Sequence, residues 1–430
     1  MTRRCIQLAR PPLSGTFRAV ASKSVTHRAL IAASLASGPS ALIGPLDADD
    51  TRATIEGLSA LGFVTRMLDG RWEVEGRGGT VPGGGDLRLR ASGTSLRFLT
   101  AVAGVGIRSS RLDGSERLRD RPVRELARAM SGLGARLRLT PGGGLPLEAG
   151  GAALRGGRVR LSSRRSSQFA SALLLIGSRL HGGLELAMSA PAVSLPYVEL
   201  TARVLGDFGV EVRRTSELTW RVAEGDYRGR EYPVEGDHSS ASYFLAAAAV
   251  VGGRVRVEGL DPDSAQPDAR LARILGRMGC AVGSGPRWVE VEGSGRVPPF
   301  DLDLSDSPDL VPTLAVLALF SEGPSVMRGI AHLRFKESDR LALLARNLVR
   351  LGREARVSGD SLRVSAPADL RGAVVETHSD HRIAMAFAVA GLRLEGVTID
   401  DARCVSKSNP GFWGDFAALE GAGRQPRQNW

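Results

Sequence analysis

A block of about seventy residues recurs along this chain, and it limits the available folds more than any other feature. Each copy has a polar, often serine-rich opening, an apolar helical run, a glycine and then a short apolar strand. SKSVTHRALIAASLASGPSALIGPL, SGTSLRFLTAVAGVGIRSSRL, SSQFASALLLIGSRLHGGLELAM and SSASYFLAAAAVVGGRVRVEGL are four copies; DLVPTLAVLALFSEGPSVMRGI and DHRIAMAFAVAGLRLEGVTIDD are looser ones. The glycine before the strand falls at Gly38, Gly106, Gly182, Gly253, Gly323 and Gly396, at spacings of 68, 76, 71, 70 and 73 residues.

A second pattern lies between the copies: an amphipathic helix, an apolar-Gly break, and segments such as RWEVEG, RWVEVEG and SLRVSA that alternate with period two. Alternation of that kind marks half-buried strands. The breaks, Leu61-Gly62, Leu133-Gly134, Phe208-Gly209, Met278-Gly279 and Leu351-Gly352, place a glycine where a helix ends in the left-handed conformation. Each unit reads helix–strand–helix–strand–strand, with a further short strand before the first helix. Six βαβαββ units account for nearly the whole chain and predict an α/β fold. The sixth is cut short after Phe416–Leu419, and the strand-like Cys5–Leu8 has no unit of its own, so the N-terminus is expected to complete it. Three units per domain give one domain over 22–235 and a discontinuous one over 1–21 plus 236–430, around an interdomain cleft. A solenoid is the alternative; the long unit and the lack of capping repeats weigh against it.

The apolar runs near Phe244–Val251 and Leu310–Phe320 fall short of the ~20 residues a membrane span needs. The opening MTRRCIQLARPP has charge but no apolar stretch, so no signal peptide is expected. Three scattered cysteines, Cys5, Cys280 and Cys404, exclude a disulfide framework and fit a reducing cytosol. A net charge of +11 points to an anionic partner. The arginines are spread evenly and aromatics are only 5%, which argues against a nucleic-acid surface. Only three of the 57 basic residues are lysines: Lys23, Lys336 and Lys407. In a chain that makes nearly every cation an arginine, surviving lysines suggest a need for a compact charge with an adjustable pKa.

The first helices open on Ser22-Lys23-Ser24, Ser92-Gly93-Thr94, Ser166-Ser167-Gln168, Asp237-His238-Ser239-Ser240 and Ser379-Asp380-His381-Arg382. Such residues are ordinary N-caps. Helix N-termini are equally ready anion sites, and Arg28 and Arg97, one turn on, add guanidinium forks. Both readings stay open from the residues alone. The densest constellation, His332-Leu-Arg-Phe-Lys336-Glu337-Ser-Asp339-Arg340, is expected on a helix start. His378 and His381 have ligand spacing but no evident third partner, so no metal is expected. P-loop, dinucleotide-binding and HExxH motifs are missing, and no cofactor is indicated.

SKSVTHR, SGTSLRF, DRPVREL, SSQFASALLL, SLPY, GDHSSAS, KESDR, DHR and the late SKS occur in this order from end to end. With them the chain resembles the 5-enolpyruvylshikimate-3-phosphate (EPSP) synthase family. The resemblance implies two domains of three βαβαββ units and two anionic substrates. It also implies transfer of the enolpyruvyl group of phosphoenolpyruvate to the 5-hydroxyl of shikimate 3-phosphate. Matching positions make Ser24, Arg28, Ser166, Ser167, Ser194, Tyr197 and Lys336 the shikimate 3-phosphate side. Lys23, Gly93, Arg121, Gln168, Arg340, Arg382 and Lys407 become the phosphoenolpyruvate side, and Lys23, Asp309, Glu337 and His381 the catalytic set. All three lysines fall on functional positions.

Two residues depart from the family pattern, Ala91 and His332, both where asparagine is common. They raise an altered acceptor, another hydroxylated acid, as an alternative. Gly93 leaves room for phosphoenolpyruvate and implies sensitivity to glyphosate. The UDP-N-acetylglucosamine enolpyruvyl transferases share the architecture but carry a reactive cysteine where this chain has RLRDRP. An RNA-binding protein on the same repeat fold is the alternative from another class. The expected protein is a cytoplasmic monomer that uses small anions and neither nucleic acid nor membrane.

Overall fold

The computed structural model describes residues 2–151, 154–365 and 369–420. The polar openings and apolar runs become six helices: Lys23–Leu35, Gly93–Gly104, Gln168–Gly177, His238–Val251, Val311–Leu319 and His381–Gly391. Each is buried almost all round, as expected of helices apolar on every face. Each repeat adds a second helix: Asp49–Ala60, Arg124–Gly132, Pro196–Asp207, Leu271–Arg277, Arg340–Arg350 and Phe412–Phe416. Gly62, Gly134, Gly209, Gly279 and Gly352, one residue past the C-caps, have φ between 85° and 94°. Only glycine takes that conformation at no steric cost, so the break positions end the helices.

Among the described residues the strands form five four-stranded sheets and one of three. In each four-stranded sheet a leading strand runs parallel to the strand after the buried helix, and a hairpin completes the other edge. Asp86–Arg88 beside Ser110–Asp113, followed by Leu147–Ala149 and Leu137–Leu139, shows the arrangement. This is the βαβαββ unit.

The chain divides into two compact units, Ala21–Glu235 and the described residues of 1–20 with 236–430. In the first, the Gln168–Gly177 helix packs against both Lys23–Leu35 and Gly93–Gly104. In the second, His238–Val251, Val311–Leu319 and His381–Gly391 pack on one another around Tyr243, Leu314 and Phe387.

The N-terminal segment does more than complete the last unit. The strand is Arg4–Cys5, not Cys5–Leu8; it pairs antiparallel with Thr398–Ile399, Arg4 opposite Ile399. Pro11 and Pro12, which have no amide hydrogen, end that excursion. Leu13–Arg18 then becomes the leading strand of the fourth unit, parallel to Gly253–Glu258. The first unit takes its own leading strand, Glu231–Pro233, from the end of the third. Residues 421–430 lie outside the described residues.

Candidate active site

In the Ala21–Glu235 unit the Ser22 hydroxyl accepts from the Val25 amide at 3.4 Å and starts the first helix, so Lys23 stands in its first turn. Lys23 Nζ donates to Asp50 Oδ2 at 2.9 Å, and both side chains are largely buried. Asp50 does not stand out in the sequence, where DDTR reads as an ordinary acidic helix start. Arg28 is enclosed. Its Nε donates to Thr201 Oγ1 at 2.7 Å, Nη1 to the Ser24 carbonyl at 2.8 Å, and Nη2 to the Tyr197 carbonyl at 3.1 Å. Burial lowers its pKa to about 10, against the small opposing effect of Tyr197. It therefore stays charged while tying Ser24 to Tyr197. Ser194 holds the left-handed conformation at φ 56° just before the Pro196–Asp207 helix, and its carbonyl accepts from the Tyr197 amide at 3.2 Å.

Gly93 opens the second buried helix with two guanidinium groups against it. A Cβ there would lie 2.1 Å from Arg121 Nη1 and 2.4 Å from Arg97 Nη1. Arg97 Nη1 donates to the Gly93 carbonyl at 3.0 Å and to Gln168 Oε1 at 3.3 Å; Gln168 Nε2 donates to Thr94 Oγ1 at 3.0 Å. Gly93, Arg121 and Gln168 are thus gathered in one place, with Arg97 as the strut. Ser166 Oγ accepts from the Gln168 amide at 3.2 Å, and Ser167 is the buried residue before that helix.

The other unit carries the carboxylates. Arg340, fully buried, donates from Nη1 to Asp309 at 3.1 Å and from Nη2 to Glu337 at 2.7 Å. It also grips Asp380 with Nε at 2.9 Å and Nη2 at 3.2 Å. Arg382 Nη2 donates to the second oxygen of Asp309 at 2.8 Å. Asp309 therefore bridges two arginines, and Arg340 holds three carboxylates. Burial alone would raise the Asp309 pKa, but Arg382, Lys336 and Arg340 together hold it well below the usual carboxylate range. Asp380 is also the N-cap of the His381–Gly391 helix, accepting from the Arg382 amide at 3.1 Å. From the sequence Asp380 has only that capping role and no place in the site.

Only the end of KESDR is on a helix start; Lys336 and Glu337 precede it. Lys336 follows the 3₁₀ turn Ala331–Phe335, and the helix begins only at Arg340. Asp339 sets the boundary, its carboxylate accepting from the Ala342 amide at 3.1 Å. His332 is buried in the turn; burial, then the charges of Lys336 and Arg340, push its pKa down to about 3 against the pull of Asp309. Its imidazole is neutral at physiological pH. Lys407 ends the 3₁₀ turn Ala402–Lys407, which lies against the helix opened by His381, and both side chains are buried. His378 is instead largely exposed beside Glu376, 3.8 Å away. Among the described residues no group of three or more His, Cys, Asp or Glu side chains could hold a metal ion.

The chain matches the model of the EPSP synthase (3-phosphoshikimate 1-carboxyvinyltransferase) family over residues 9–416. It belongs to the EPSP synthase family. It is 44% identical to the 3-phosphoshikimate 1-carboxyvinyltransferase of Methanoculleus marisnigri, over 96% of this chain and 97% of that protein. It is 42% identical to the one of Methanosphaerula palustris, over 95% and 97%. The solved EPSP synthase structure from Acinetobacter baumannii superposes with a TM-score of 0.79 at 27% identity, covering 97% of this chain and 98% of that one. The enzyme class and the six-unit fold expected from the sequence therefore stand. Asp50, Arg97 and Asp380 join the EPSP synthase residues expected from it as the groups that hold them in place.

Proposed function

We propose that these two clusters carry out carboxyvinyl transfer from phosphoenolpyruvate to the 5-hydroxyl of shikimate 3-phosphate. The observation that carries the reading is Asp309 bridging Arg340 and Arg382 with Glu337 on the same guanidinium. Addition needs a proton delivered to the methylene carbon of phosphoenolpyruvate and one removed from the hydroxyl, forming the C2–O bond. Elimination takes a proton back from the new methyl group, restores the double bond and releases phosphate.

With Asp309 held ionised by its arginines, protonation of the methylene is assigned to Glu337. Asp309 is the base, and the cations that suppress its basicity are those an incoming phosphate or carboxylate would engage. Substrate binding then relieves them and raises its pKa. Lys23, steadied by Asp50, neutralises the leaving phosphate. Arg121, Arg340, Arg382 and Lys407 bind phosphoenolpyruvate and stabilise the charge that develops on it, with Gly93 leaving space and Gln168 as a further contact. Ser24, Arg28, Ser166, Ser167, Ser194, Tyr197 and Lys336 recognise shikimate 3-phosphate, and His381 supports the carboxylates.

The protein is proposed to act as a cytoplasmic monomer without cofactor, metal, nucleic-acid or membrane partner. Among the described residues no helix is long and apolar enough to cross a membrane. Phosphorus NMR of the purified protein with both substrates should show free phosphate and enolpyruvyl product together, and neither with one substrate alone. Glu337→Gln should lower kcat by about a hundredfold or more with binding retained, the size of a lost general acid. Full turnover by that variant would remove Glu337 from the proton path.

A further inference from the structure

Asp268 sits in the 3₁₀ turn Pro267–Arg270 and is 2% exposed. The Ser239 hydroxyl donates to its Oδ2, whereas Oδ1 is buried without a hydrogen-bond partner among the described residues. A carboxylate in that state leaves one oxygen desolvated and uncompensated; a carboxylic acid tolerates it far better. The turn is not remote from the chemistry. Ser307 Oγ donates to the Pro267 carbonyl at 3.2 Å and accepts from Arg270 Nη1 at 3.5 Å, docking it onto the segment that carries Asp309. Ser239 lies one helical turn before Tyr243, whose hydroxyl is 3.5 Å from Arg382 Nη1.

The charges acting on Asp268 are Asp309 from the neighbouring turn, Arg382 from the His381–Gly391 helix, and Asp237 at the cap of the His238–Val251 helix. His238 is turned away, its Nε2 2.9 Å from the Asp261 carbonyl, and Arg270 Nη1 donates to the Ser307 hydroxyl at 3.5 Å.

We propose that Asp268 is a positioning residue for carboxyvinyl transfer, whose neutral acid form leaves no second carboxylate to compete with Asp309 and the anionic substrate for Arg382. This rests on the reading of Arg382 as a phosphoenolpyruvate-binding side chain. Burial first, then the charge of Asp309, raises the Asp268 pKa to about 7, opposed by Arg382 and the Ser239 hydroxyl. Ionisation above that pH would place a second negative charge beside Arg382 and weaken its hold on an anion.

The test compares the full-length wild type with Asp268→Asn and Ser239→Ala, measuring KM for phosphoenolpyruvate and kcat from pH 5.5 to 9. In the wild type KM should climb through pH 7 toward a tenfold rise per pH unit, with kcat changing less. Asp268→Asn should lack that rise. Ser239→Ala, which removes the hydroxyl that favours the ionised form, should move it to higher pH; this variant also serves if Asp268→Asn does not fold. Infrared spectra should contain a protonated-carboxyl band that titrates near pH 7 and is missing from Asp268→Asn. Superimposable KM profiles in an active wild type, or no such band, would overturn the proposal. Wild-type turnover is the control that separates its failure from failure of the transferase reading.

Discussion

At the scale of single residues, the charge on Asp309 makes a prediction with a definite sign. Its folded pKa lies below the unfolded value of about 3.9. Its contribution to stability is thus fully present above pH 4 and is lost as pH falls toward the folded value. Asp309→Asn keeps the shape but leaves Arg340 and Arg382 less compensated, and should cost about 3–5 kcal/mol at pH 7. Urea unfolding at pH 7, 4 and 2.5 should show the gap to wild type shrinking only below pH 4; a constant gap would mean the two arginines do not depend on this carboxylate. Gly93 makes a kinetic prediction. A methyl group there must push the Arg121 guanidinium aside, so Gly93→Ala should raise KM for phosphoenolpyruvate about tenfold, roughly 1.4 kcal/mol, with a smaller change in kcat. An unchanged KM would show that Arg121 can move at no cost to binding. Glycine at this position also keeps the expectation, implied by the family resemblance, that glyphosate inhibits the wild type. The three lysines stand out because lysine is rare in this chain, and Gly93 is placed by the family resemblance. Asp50 does not stand out and Asp380 reads only as a cap, because a carboxylate at a helix start already has a sufficient reason to be there.

At the scale of elements, the strand that closes the last sheet can be weighed part by part. Ile6 is 2% exposed, and its Cβ is 2.5 Å from where a Cβ on Gly391 would lie, so the strand segment rests directly on the helix that presents His381 and Arg382. Arg4 instead meets Glu420 at 2.5 Å and stacks over the Trp413 ring at 4.7 Å while remaining partly in water. Burial decides between them. Ile6→Ala should destabilise the protein by about 2–4 kcal/mol, and Arg4→Ala by under about 1 kcal/mol. Denaturant unfolding of both variants checks the order, and equal losses would show that the ion pair, not the apolar contact, fastens the strand. The periodicities told buried helices from half-buried strands because each signal is local. They could not assign Leu13–Arg18 to the fourth sheet, since its alternation fits any parallel edge and its partner, Gly253–Glu258, is more than 200 residues away.

For the whole molecule, the exchange of leading strands makes the two units unequal in how they can be built. The stretch 21–235 holds every strand of its three sheets, including Glu231–Pro233, and the Ser22 amide donates to the Glu235 carbonyl at 2.8 Å where its ends meet. The stretch 236–430 lacks two strands of its own sheets, Arg4–Cys5 and Leu13–Arg18, without which Gly253–Glu258 and Thr398–Ile399 become open edges. It also lacks the hydrogen bond from the Asp237 amide to the Val20 carbonyl at 2.7 Å. An unpaired edge beside an apolar core favours aggregation over a single native state. Residues 21–235 expressed alone should therefore unfold in one cooperative transition. Residues 236–430 alone should not, and should gain one when residues 1–20 are joined to their C-terminus through a flexible linker. Circular dichroism across a urea titration of the three chains reads this directly. A cooperative transition in 236–430 alone would mean that the helices Val311–Leu319 and His381–Gly391 hold the unit together without their sheets being complete, and that the N-terminal strands position its active-site turns without being needed to fold it.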